Sequence, residues 1–363
     1  MKKLNVLGVM SGSSMDGVDL ALCEIQEENG NFSFKMLQTA TYDYDEKWRL
    51  RLSKLRTQNA LTYVKTDIFY AHFLAELIND FITTNNLKVD LVASHGHTIF
   101  HNPEVKTTAQ IGDGATLAAK TKLPVITDFR RADVALNGEG APLVAIGDKL
   151  LFGEYDFCLN LGGFANISAN TNGKNIAFDI CACNILTNRL ARDIEQPYDN
   201  NGEIAEKGKI DYDMLNELNE LEFYQQEGPK SLNRDWISDA LWPIVKEFRE
   251  LPLEDRMKTV VDHIAFQIGK AIEKLSDGNS DGKRLFITGG GAFNTTLIDH
   301  IKSHTEAEII IPENDMVNYK EALIFALLGF LRVQNKANTI ATATGASEDV
   351  IGGAMSGNYS QCI

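Results

Sequence analysis

Residues 4–19, LNVLGVMSGSSMDGVD, decide the fold. They start with a short apolar run, Leu4 to Met10, and continue into a turn rich in glycine, serine and aspartate. Residues 18–25 then alternate on a period of two, and the Asp16-Gly17 pair before them is a hairpin signal. With a third strand expected over residues 32–42, the chain opens as a β-meander.

The same plan returns in the middle of the chain. An apolar strand is expected over residues 157–161, followed by the Gly162-Gly163 turn and a second strand from Phe164. A third strand is expected over residues 175–178, ending at Asp179. The repeat of strand, glycine turn and strand indicates an α/β architecture of two similar units.

Chain length supports two domains, since 363 residues correspond to about two units of ~150 residues. A glycine-containing connector at residues 137–142 suggests where the second unit begins. We expect domain I at residues 1–133 with a C-terminal return at 335–363, and domain II at residues 134–334.

Composition narrows the classes of function. Lys and Arg number 35 against 50 Asp and Glu, a net charge of −15, so a nucleic-acid partner is not expected. No signal peptide and no membrane-spanning apolar stretch of ~20 residues is recognised, which predicts a cytoplasmic protein without a membrane partner. Five irregularly spaced cysteines favour reduced thiols.

The hairpin turn at Gly12–Asp19 is a candidate phosphate site. Glycine lets backbone N–H groups approach a phosphate closely, and the hydroxyls of Ser13 and Ser14 add donors. Asp16 and Asp19 suit a hydrated Mg²⁺ ion, which binds few carboxylates and keeps most of its waters. The competing interpretation is a plain β-turn, and the Gly-Lys-Ser/Thr ending of a Walker loop is missing.

Two further glycine turns follow apolar strands, at Gly162-Gly163 and at Gly289-Gly290-Gly291. Together with the first hairpin they give three glycine turns at strand ends. We interpret them as a set that holds a nucleotide between two domains.

Four other clusters have competing interpretations. Asp179 is placed to act as a general base, or is a turn aspartate. Residues 128–133, DFRRAD, contain arginine forks suited to carboxylate or phosphate, or form a surface ion-pair cluster. The stretch 95–101, HGHTIFH, suggests zinc but lacks the usual neighbouring Asp. Cys181 and Cys183 are metal ligands or, with no second cysteine pair nearby, two buried thiols.

These segments resemble the anhydro-N-acetylmuramic acid kinases, members of the sugar kinase/heat-shock ATPase/actin superfamily. The resemblance covers nearly the whole chain, and the first and fourth segments are close to diagnostic. In order, the matching segments are MSGSSMDGVD at 10–19, SHGHTI at 94–99, QIG at 110–112, DFRRADV at 128–134, GAPLV at 140–144, NLGGFAN at 160–166, FD at 178–179 and GGGAFN at 289–294.

The resemblance implies two ribonuclease-H-like (actin-like ATPase) domains around a nucleotide cleft. It also implies an ATP- and Mg²⁺-dependent reaction on the anhydro sugar left by peptidoglycan turnover. Water attacks the anomeric carbon, the anhydro bridge opens, and the freed hydroxyl takes the γ-phosphoryl group, giving N-acetylmuramic acid 6-phosphate.

Site residues follow from the same resemblance. Asp179 matches the family's base, Thr98 and Arg131 match sugar-binding positions, and Glu321 matches an acidic position near the site. A homodimer is expected by analogy alone. The residues expected to bind ATP are Gly12, Ser13, Ser14, Met15, Asp16, Gly17, Val18, Asp19, Gly162, Gly163, Gly289, Gly290 and Gly291, with Asp16 and Asp19 as the metal ligands.

Three positions depart from the family pattern. Cys181-Ala182-Cys183-Asn184 replaces a Gly-Pro-Gly-Asn turn after the base, His97 replaces Gln, and Ala145 replaces Pro. Loss of both glycines changes the turn that presents Asp179, since a positive φ is costly for other residues. Two alternatives therefore stay open: a non-catalytic ATP- and sugar-binding switch of the same fold, and a kinase for a different sugar.

Overall fold

The computed structural model describes residues 2–12, 15, 17–171, 174–226, 230–232, 234–360 and 362. The chain forms two compact units. Unit 1 comprises Met1–Phe152 and Tyr319–Ile363, and unit 2 comprises Gly153–Asn318. Each unit contains one mixed β-sheet and its own buried apolar core.

The strands, in chain order, are β1 (Lys2–Ser11), β2 (Gly17–Glu28), β3 (Asn31–Asp43), β4 (Leu91–Asn102), β5 (Thr107–Ile111), β6 (Val125–Thr127), β7 (Phe157–Leu161), β8 (Phe164–Thr171), β9 (Lys174–Ala182), β10 (Arg284–Thr288), β11 (Glu308–Ile310) and β12 (Ala354–Ser356).

The α-helices are α1 (Glu46–Leu55), α2 (Ala60–Thr84), α3 (Gly114–Thr121), α4 (Arg131–Ala135), α5 (Ala145–Leu151), α6 (Asn184–Ala191), α7 (Glu203–Lys207), α8 (Tyr212–Asn219), α9 (Glu222–Gln225), α10 (Arg234–Trp236), α11 (Trp242–Glu247), α12 (Leu253–Leu275), α13 (Thr295–Ser303), α14 (Asn314–Val333) and α15 (Ala341–Thr344). A π-helical turn spans Ile237–Leu241, and 3₁₀ turns occur at Pro103–Val105, Arg192–Ile194, Asn200–Gly202 and Gly290–Phe293. In the described part of the chain, none of these helices has the length and apolar character needed to cross a bilayer.

The unit 1 sheet has the order β3-β2-β1-β4-β6-β12, with β5 paired to β4. The first three strands are antiparallel, as the meander predicted, whereas β4 runs parallel to β1 and β6 runs parallel to β4. Strand β1 lies between β2 and β4 near the middle of this sheet, and its residues Val6, Leu7 and Val9 are almost completely buried.

The unit 2 sheet repeats this topology with the order β9-β8-β7-β10-β11. Strands β7, β8 and β9 form an antiparallel meander, and β10 and β11 continue the sheet in parallel from β7. A meander followed by parallel strands on the side of its first strand is the ribonuclease-H-like order. The α/β fold class predicted from the sequence is therefore confirmed for each unit.

The unit boundaries lie away from the predicted domain boundaries. Residues 134–152 and 319–334, which the sequence analysis assigned to domain II, pack within unit 1. Helix α14 explains this, because its carbonyl oxygen at Ala322 lies where a Cβ on Gly8 of β1 would be. The same helix packs its Ile324 side chain against Gly147 of α5. The predicted boundaries relied on the position of the connector, and these long-range contacts have no local sequence signal.

One predicted helix boundary is wrong. From the apolar pattern alone, residues 91–93 are expected to form a short strand that runs into residues 94–98, and residues 109–121 a short helix. In the structure, β4 continues to Asn102 and pairs with β5, with His97 opposite Ile111. Helix α3 begins only at Gly114, where the Asp113 carboxylate accepts a hydrogen bond from the Thr116 N–H at 2.7 Å.

We predict that Gly8→Ala lowers the free energy of unfolding by about 3 kcal/mol, because β1 and α14 must move apart to admit the methyl group. Urea unfolding measures the loss. Gly30→Ala is the control: its Cβ meets nothing within 4 Å, and its φ of +85° costs only about 1 kcal/mol. Equal losses in the two variants would contradict the close contact.

Candidate active site

The Gly12–Asp19 turn connects β1 to β2 in unit 1. Its predicted ligands Ser13, Ser14 and Asp16 lie outside the described residues, so the structure places the remaining five. The Met15 N–H donates to the Gly12 carbonyl at 3.4 Å, and Met15 has a φ of 59°. The Val18 side chain is fully buried in the core, so only its backbone is available to a ligand.

Asp19 is held by a hydroxyl from the neighbouring strand. It pairs with Thr41 across β2 and β3, and the Thr41 hydroxyl donates to Asp19 Oδ1 at 2.6 Å. The Tyr319 hydroxyl lies 3.1 Å from the same Thr41 oxygen. Within the described residues, no group of three or more His, Cys, Asp or Glu side chains is arranged to hold a metal ion. One carboxylate nevertheless suits Mg²⁺ that also binds phosphates and water.

A buried chain of hydroxyls fixes the start of this turn. Ser11 Oγ lies 2.6 Å from the Tyr44 hydroxyl and 2.8 Å from His97 Nδ1, and Tyr44 also contacts the Tyr70 hydroxyl. All four side chains are buried. His97 therefore has a defined role in the fold: it anchors the last residue of β1 to β4.

The two glycine turns of unit 2 lie side by side. Strands β7 and β10 are parallel neighbours, with Asn160 opposite Thr288, so their following turns emerge at the same sheet edge. Gly289 has a φ of +84°, and a Cβ there would lie 2.8 Å from the Leu161 carbonyl carbon. Asn184, at the start of α6, donates from Nδ2 to the Leu161 carbonyl at 2.9 Å, and the same nitrogen lies 3.7 Å from where a Cβ on Gly290 would be.

Gly163 and Gly290 differ from their neighbours because both are exposed. A Cβ on Gly163 would meet nothing closer than 4.0 Å, and one on Gly290 nothing closer than 3.7 Å. Packing does not require glycine at either position. Open backbone at both turns is the arrangement that a bound phosphate or ribose needs.

Asp179 lies inside β9 and not at its end, which corrects the predicted strand boundary. It pairs with Asn166 of β8, and β9 continues to Ala182 through the pairs of Cys181 with Ala165 and Ala182 with Phe164. Neither Cys181 nor Ala182 is a glycine or a proline, the residues that weaken or interrupt a strand. Asp179 is thus about 10 Å along the sheet from the Gly163 turn, at ~3.3 Å per residue.

Burial dominates the electrostatics of Asp179. It raises the pKa of the carboxyl to about 6, and the N–H of Leu232, which donates to Oδ2 at 2.9 Å, acts in the opposite direction. The Asp179 N–H donates to the Lys230 carbonyl at 2.9 Å. A carboxylate with a pKa near 6 is ionised at neutral pH and still accepts a proton, as a general base must.

Cys181 and Cys183 are fully buried thiols. Burial raises the pKa of Cys181 well above its usual value and that of Cys183 to about 12. Neither residue, nor Ala182 between them, has a positive φ. The cysteines that stand where the family pattern has glycines therefore introduce no left-handed strain, and β9 runs through Cys181 to Ala182.

Thr98 faces the partner strand β5. Gln110 lies opposite it and donates from Nε2 to Thr98 Oγ1 at 3.3 Å and to Thr108 Oγ1 at 2.9 Å. The other atom of that amide, Gln110 Oε1, is buried and has no hydrogen-bond partner among the described residues. Gln110 belongs to one of the segments that match the family, but the sequence alone assigns it no role.

The two neighbouring arginines have opposite environments. The Arg131 side chain is 66% exposed and pairs with Asp128 Oδ2 at 3.1 Å. Arg130 is largely buried: its Nε donates to His95 Nε2 at 3.0 Å, and its Nη1 donates to the Gly140 carbonyl. Burial lowers the pKa of Arg130 to about 10, whereas the nearby Glu321 and Asp133 carboxylates raise it.

The sequence places Arg130 in the DFRRAD cluster but assigns the sugar-binding role to Arg131. No local spacing separates the two arginines, since they lie four and three residues before the buried Val134. Glu321, on α14, lies close enough to Arg130 for its charge to act on the guanidinium. Unit 1 thus brings Glu321 close to Arg130, whereas the resemblance assigns the neighbouring Arg131 to the sugar site.

Comparison with known proteins agrees with the family resemblance of the sequence motifs. A sequence model described as anhydro-N-acetylmuramic acid kinase matches residues 4–358. A relative of that name from Francisella tularensis subsp. novicida is 32% identical over 367 residues, covering 95% of this chain and 96% of the relative. Another, from Caldanaerobacter subterraneus subsp. tengcongensis, is 30% identical over 383 residues, covering 97% and 96%.

Among solved structures, an activator of the 2-hydroxyisocaproyl-CoA dehydratase from Clostridium difficile, with bound ADPNP, superposes with a TM-score of 0.46. The superposition covers 92% of this chain and 96% of that chain at 13% identity.

We predict that Gly163→Ala and Gly290→Ala each weaken ATP binding by about tenfold and leave thermal unfolding unchanged, because a methyl group there meets a ligand but no protein atom. Calorimetric titration measures the affinity. Gly291→Ala is the matched control, since its Cβ would lie 2.7 Å from Leu161 Cβ and should destabilise the protein. Unchanged ATP affinity in both open-turn variants would contradict the proposed nucleotide position.

Proposed function

This chain belongs to the anhydro-N-acetylmuramic acid kinase family, and we propose on that premise that it phosphorylates 1,6-anhydro-N-acetylmuramic acid with ATP. Water adds to the anomeric carbon as the bridging C1–O6 bond breaks. O6 takes the γ-phosphoryl group, ADP leaves, and the product is N-acetylmuramic acid 6-phosphate. The observation that carries the proposal is a buried carboxylate with a pKa of about 6, on a sheet whose glycine turns are open.

Asp179 is the proposed base. The proton it accepts comes from the attacking water, whose oxygen bonds to the anomeric carbon. Its pKa of about 6 keeps it ionised at neutral pH without making the carboxylate too weak a base. The surrounding buried groups Cys181 and Tyr224 keep their protons at neutral pH, because burial raises the pKa of each. Asp179 is therefore the titrating group of this region that suits proton abstraction at neutral pH.

The phosphates of ATP are assigned to the three glycine turns. In unit 1 the Gly12–Asp19 turn offers backbone N–H groups to the β- and γ-phosphates, and in unit 2 Gly163 and Gly290 leave open backbone. Asp19, and Asp16 outside the described residues, would hold Mg²⁺. The ion, when bound, neutralises charge that develops on the transferred phosphoryl group.

The sugar is assigned to Thr98, Arg131 and Glu321 of unit 1. The Arg131 guanidinium is largely exposed, and its planar fork matches the lactyl carboxylate of a muramic acid. Arg130 plays a different part, because it supports this region by placing a buried positive charge near Glu321.

The product belongs to amino sugar metabolism and peptidoglycan recycling. For the compartment we propose the cytoplasm, where all five cysteines would persist as the free thiols that the structure contains. The homodimer expected by analogy stays a prediction.

Asp179→Asn should abolish turnover, because the isosteric amide cannot accept the proton, while ATP affinity stays within about twofold of wild type. A product assay with ATP, Mg²⁺ and the anhydro sugar measures turnover. In the unaltered protein, kcat should fall below about pH 6, where Asp179 is protonated. Normal turnover by the variant would show that another group is the base, and ATP and sugar binding without product would contradict the kinase activity.

Arg131→Gln should raise the KM for the sugar by about tenfold or more, since a charge-assisted contact to the carboxylate is lost. Its unfolding should be unchanged, because the side chain is exposed. Arg130→Gln is the contrasting variant, and we expect it to lose about 3 kcal/mol of unfolding free energy, since a buried charge network is broken. If Arg131→Gln lost stability and Arg130→Gln raised the KM for the sugar instead, Arg130 would be the sugar-binding residue and Arg131 the structural one.

A further inference from the structure

We propose that Leu232 is a positioning residue for the base: its backbone N–H fixes one oxygen of the Asp179 carboxylate and leaves the other to take the proton. The inference rests on the proposed function of Asp179. We call residues Lys230–Leu232 the strap. The strap has no regular secondary structure, so its N–H groups are not committed to a helix or a sheet ladder.

The strap contacts Asp179 at two points. The Asp179 N–H donates to the Lys230 carbonyl at 2.9 Å, and the Leu232 N–H donates to Asp179 Oδ2 at 2.9 Å. Lys230 therefore holds the backbone of Asp179, and Leu232, two residues further along the chain, holds its side chain. Within the described part of the chain, the other oxygen, Oδ1, has no hydrogen-bond partner, which leaves it available to substrate water.

An aromatic cluster anchors the strap. The Lys230 ammonium donates to the Phe223 carbonyl at 2.8 Å and lies 4.3 Å from the Phe223 ring centroid. Trp236, beyond the other end of the strap, packs against Phe223 and Tyr224 with centroid distances of 5.2 and 6.0 Å. The Tyr224 hydroxyl lies 3.0 Å from His263 Nε2. Residues on both sides of the strap thus pack on one another, and the strap's position is built into the core of unit 2.

Few other groups act on the carboxylate. Burial raises the pKa of Asp179, and the Leu232 N–H is the interaction that opposes it. Cys181, two residues along β9, has a thiol that stays protonated, and the ammonium of Lys230 in the strap is directed to Phe223. Neither supplies a direct partner for the charged carboxylate. The amide of Leu232 is therefore the group that stabilises the ionised base.

Two substitutions at residue 232 separate the backbone from the side chain. Leu232→Ala keeps the N–H, whereas Leu232→Pro removes it. We expect Leu232→Ala to retain kcat within about twofold, and Leu232→Pro to lose about tenfold or more, because a hydrogen bond to a charged group is lost. The acid limb of kcat should move about one pH unit higher in Leu232→Pro alone, and the KM for ATP should not change.

The sign of the pH effect follows from the geometry. The amide stabilises only the ionised carboxylate, so its removal raises the pKa of Asp179 above about 6 and protonates the base at higher pH. Carboxyl ¹³C NMR titration of Asp179 in wild type, Leu232→Ala and Leu232→Pro measures this without turnover. Identical titrations in the two variants would overturn the proposal.

If Leu232→Pro does not fold, Lys230→Met and Lys230→Arg test whether the strap positions Asp179. We expect Lys230→Met to lower kcat and raise the acid limb in the same direction, and Lys230→Arg to restore both, because a cation over Phe223 is retained. Wild-type behaviour in Lys230→Met would refute the anchor.

Failure of the strap and failure of the proposed function give different results. Suppose that wild type makes product, Asp179→Asn makes none, and the two residue 232 variants titrate alike: then only the positioning role of Leu232 is refuted. Suppose instead that wild type makes no product, but its Asp179 titrates near pH 6 and the pKa shifts in Leu232→Pro: then the positioning role is supported and the proposed reaction is refuted.

Discussion

The chemistry that we propose for this protein depends on a carboxylate that is buried and still able to ionise. A buried carboxyl without partners stays protonated, and one with several hydrogen-bond donors becomes too weak a base. Asp179 lies between these limits, since burial raises its pKa to about 6 and one amide donor at 2.9 Å limits the rise. The sheet supplies the burial, because Asp179 lies inside β9 with the core of unit 2 behind it.

The glycines discussed above divide into two groups, according to whether the packing of the protein itself requires a residue without a side chain. Gly8 and Gly289 are required by the protein's own backbone, which approaches too closely for a side chain. Gly163 and Gly290 are not required by packing at all. A single sequence contains both groups without distinguishing them, and only the distances to neighbouring atoms show which glycines leave room for something other than protein.

Sequence patterns predicted the elements whose signals are local. The alternation after Gly17 and the repeat of strand, glycine turn and strand correctly gave the meanders of both units and the α/β class. Motif resemblance correctly gave the family. Helix α3 was placed too early because the apolar residues of β5 fit a helix as well as a strand, and the choice depends on the pairing of His97 with Ile111.

The candidate site was less accessible to the sequence, because its interactions are between distant residues. Arg130 and Arg131 are adjacent and chemically identical, and burial alone separates them. The contact of Leu232 with Asp179 spans more than fifty residues and uses a backbone atom, which every residue except proline provides. Likewise, the packing of α14 against Gly8 places residues from 319 onward in unit 1, and no sequence pattern near residue 134 indicates that contact.

That packing of α14 against β1 has a consequence for the proposed sugar site. Ala322 follows Glu321 directly, and its carbonyl oxygen lies against Gly8, so the helix backbone beside Glu321 is placed by the central strand of the unit 1 sheet. This placement is completed when the chain folds. Under the proposed role of Glu321, sugar binding requires no further ordering of that backbone, and binding free energy stays available for aligning the reacting atoms.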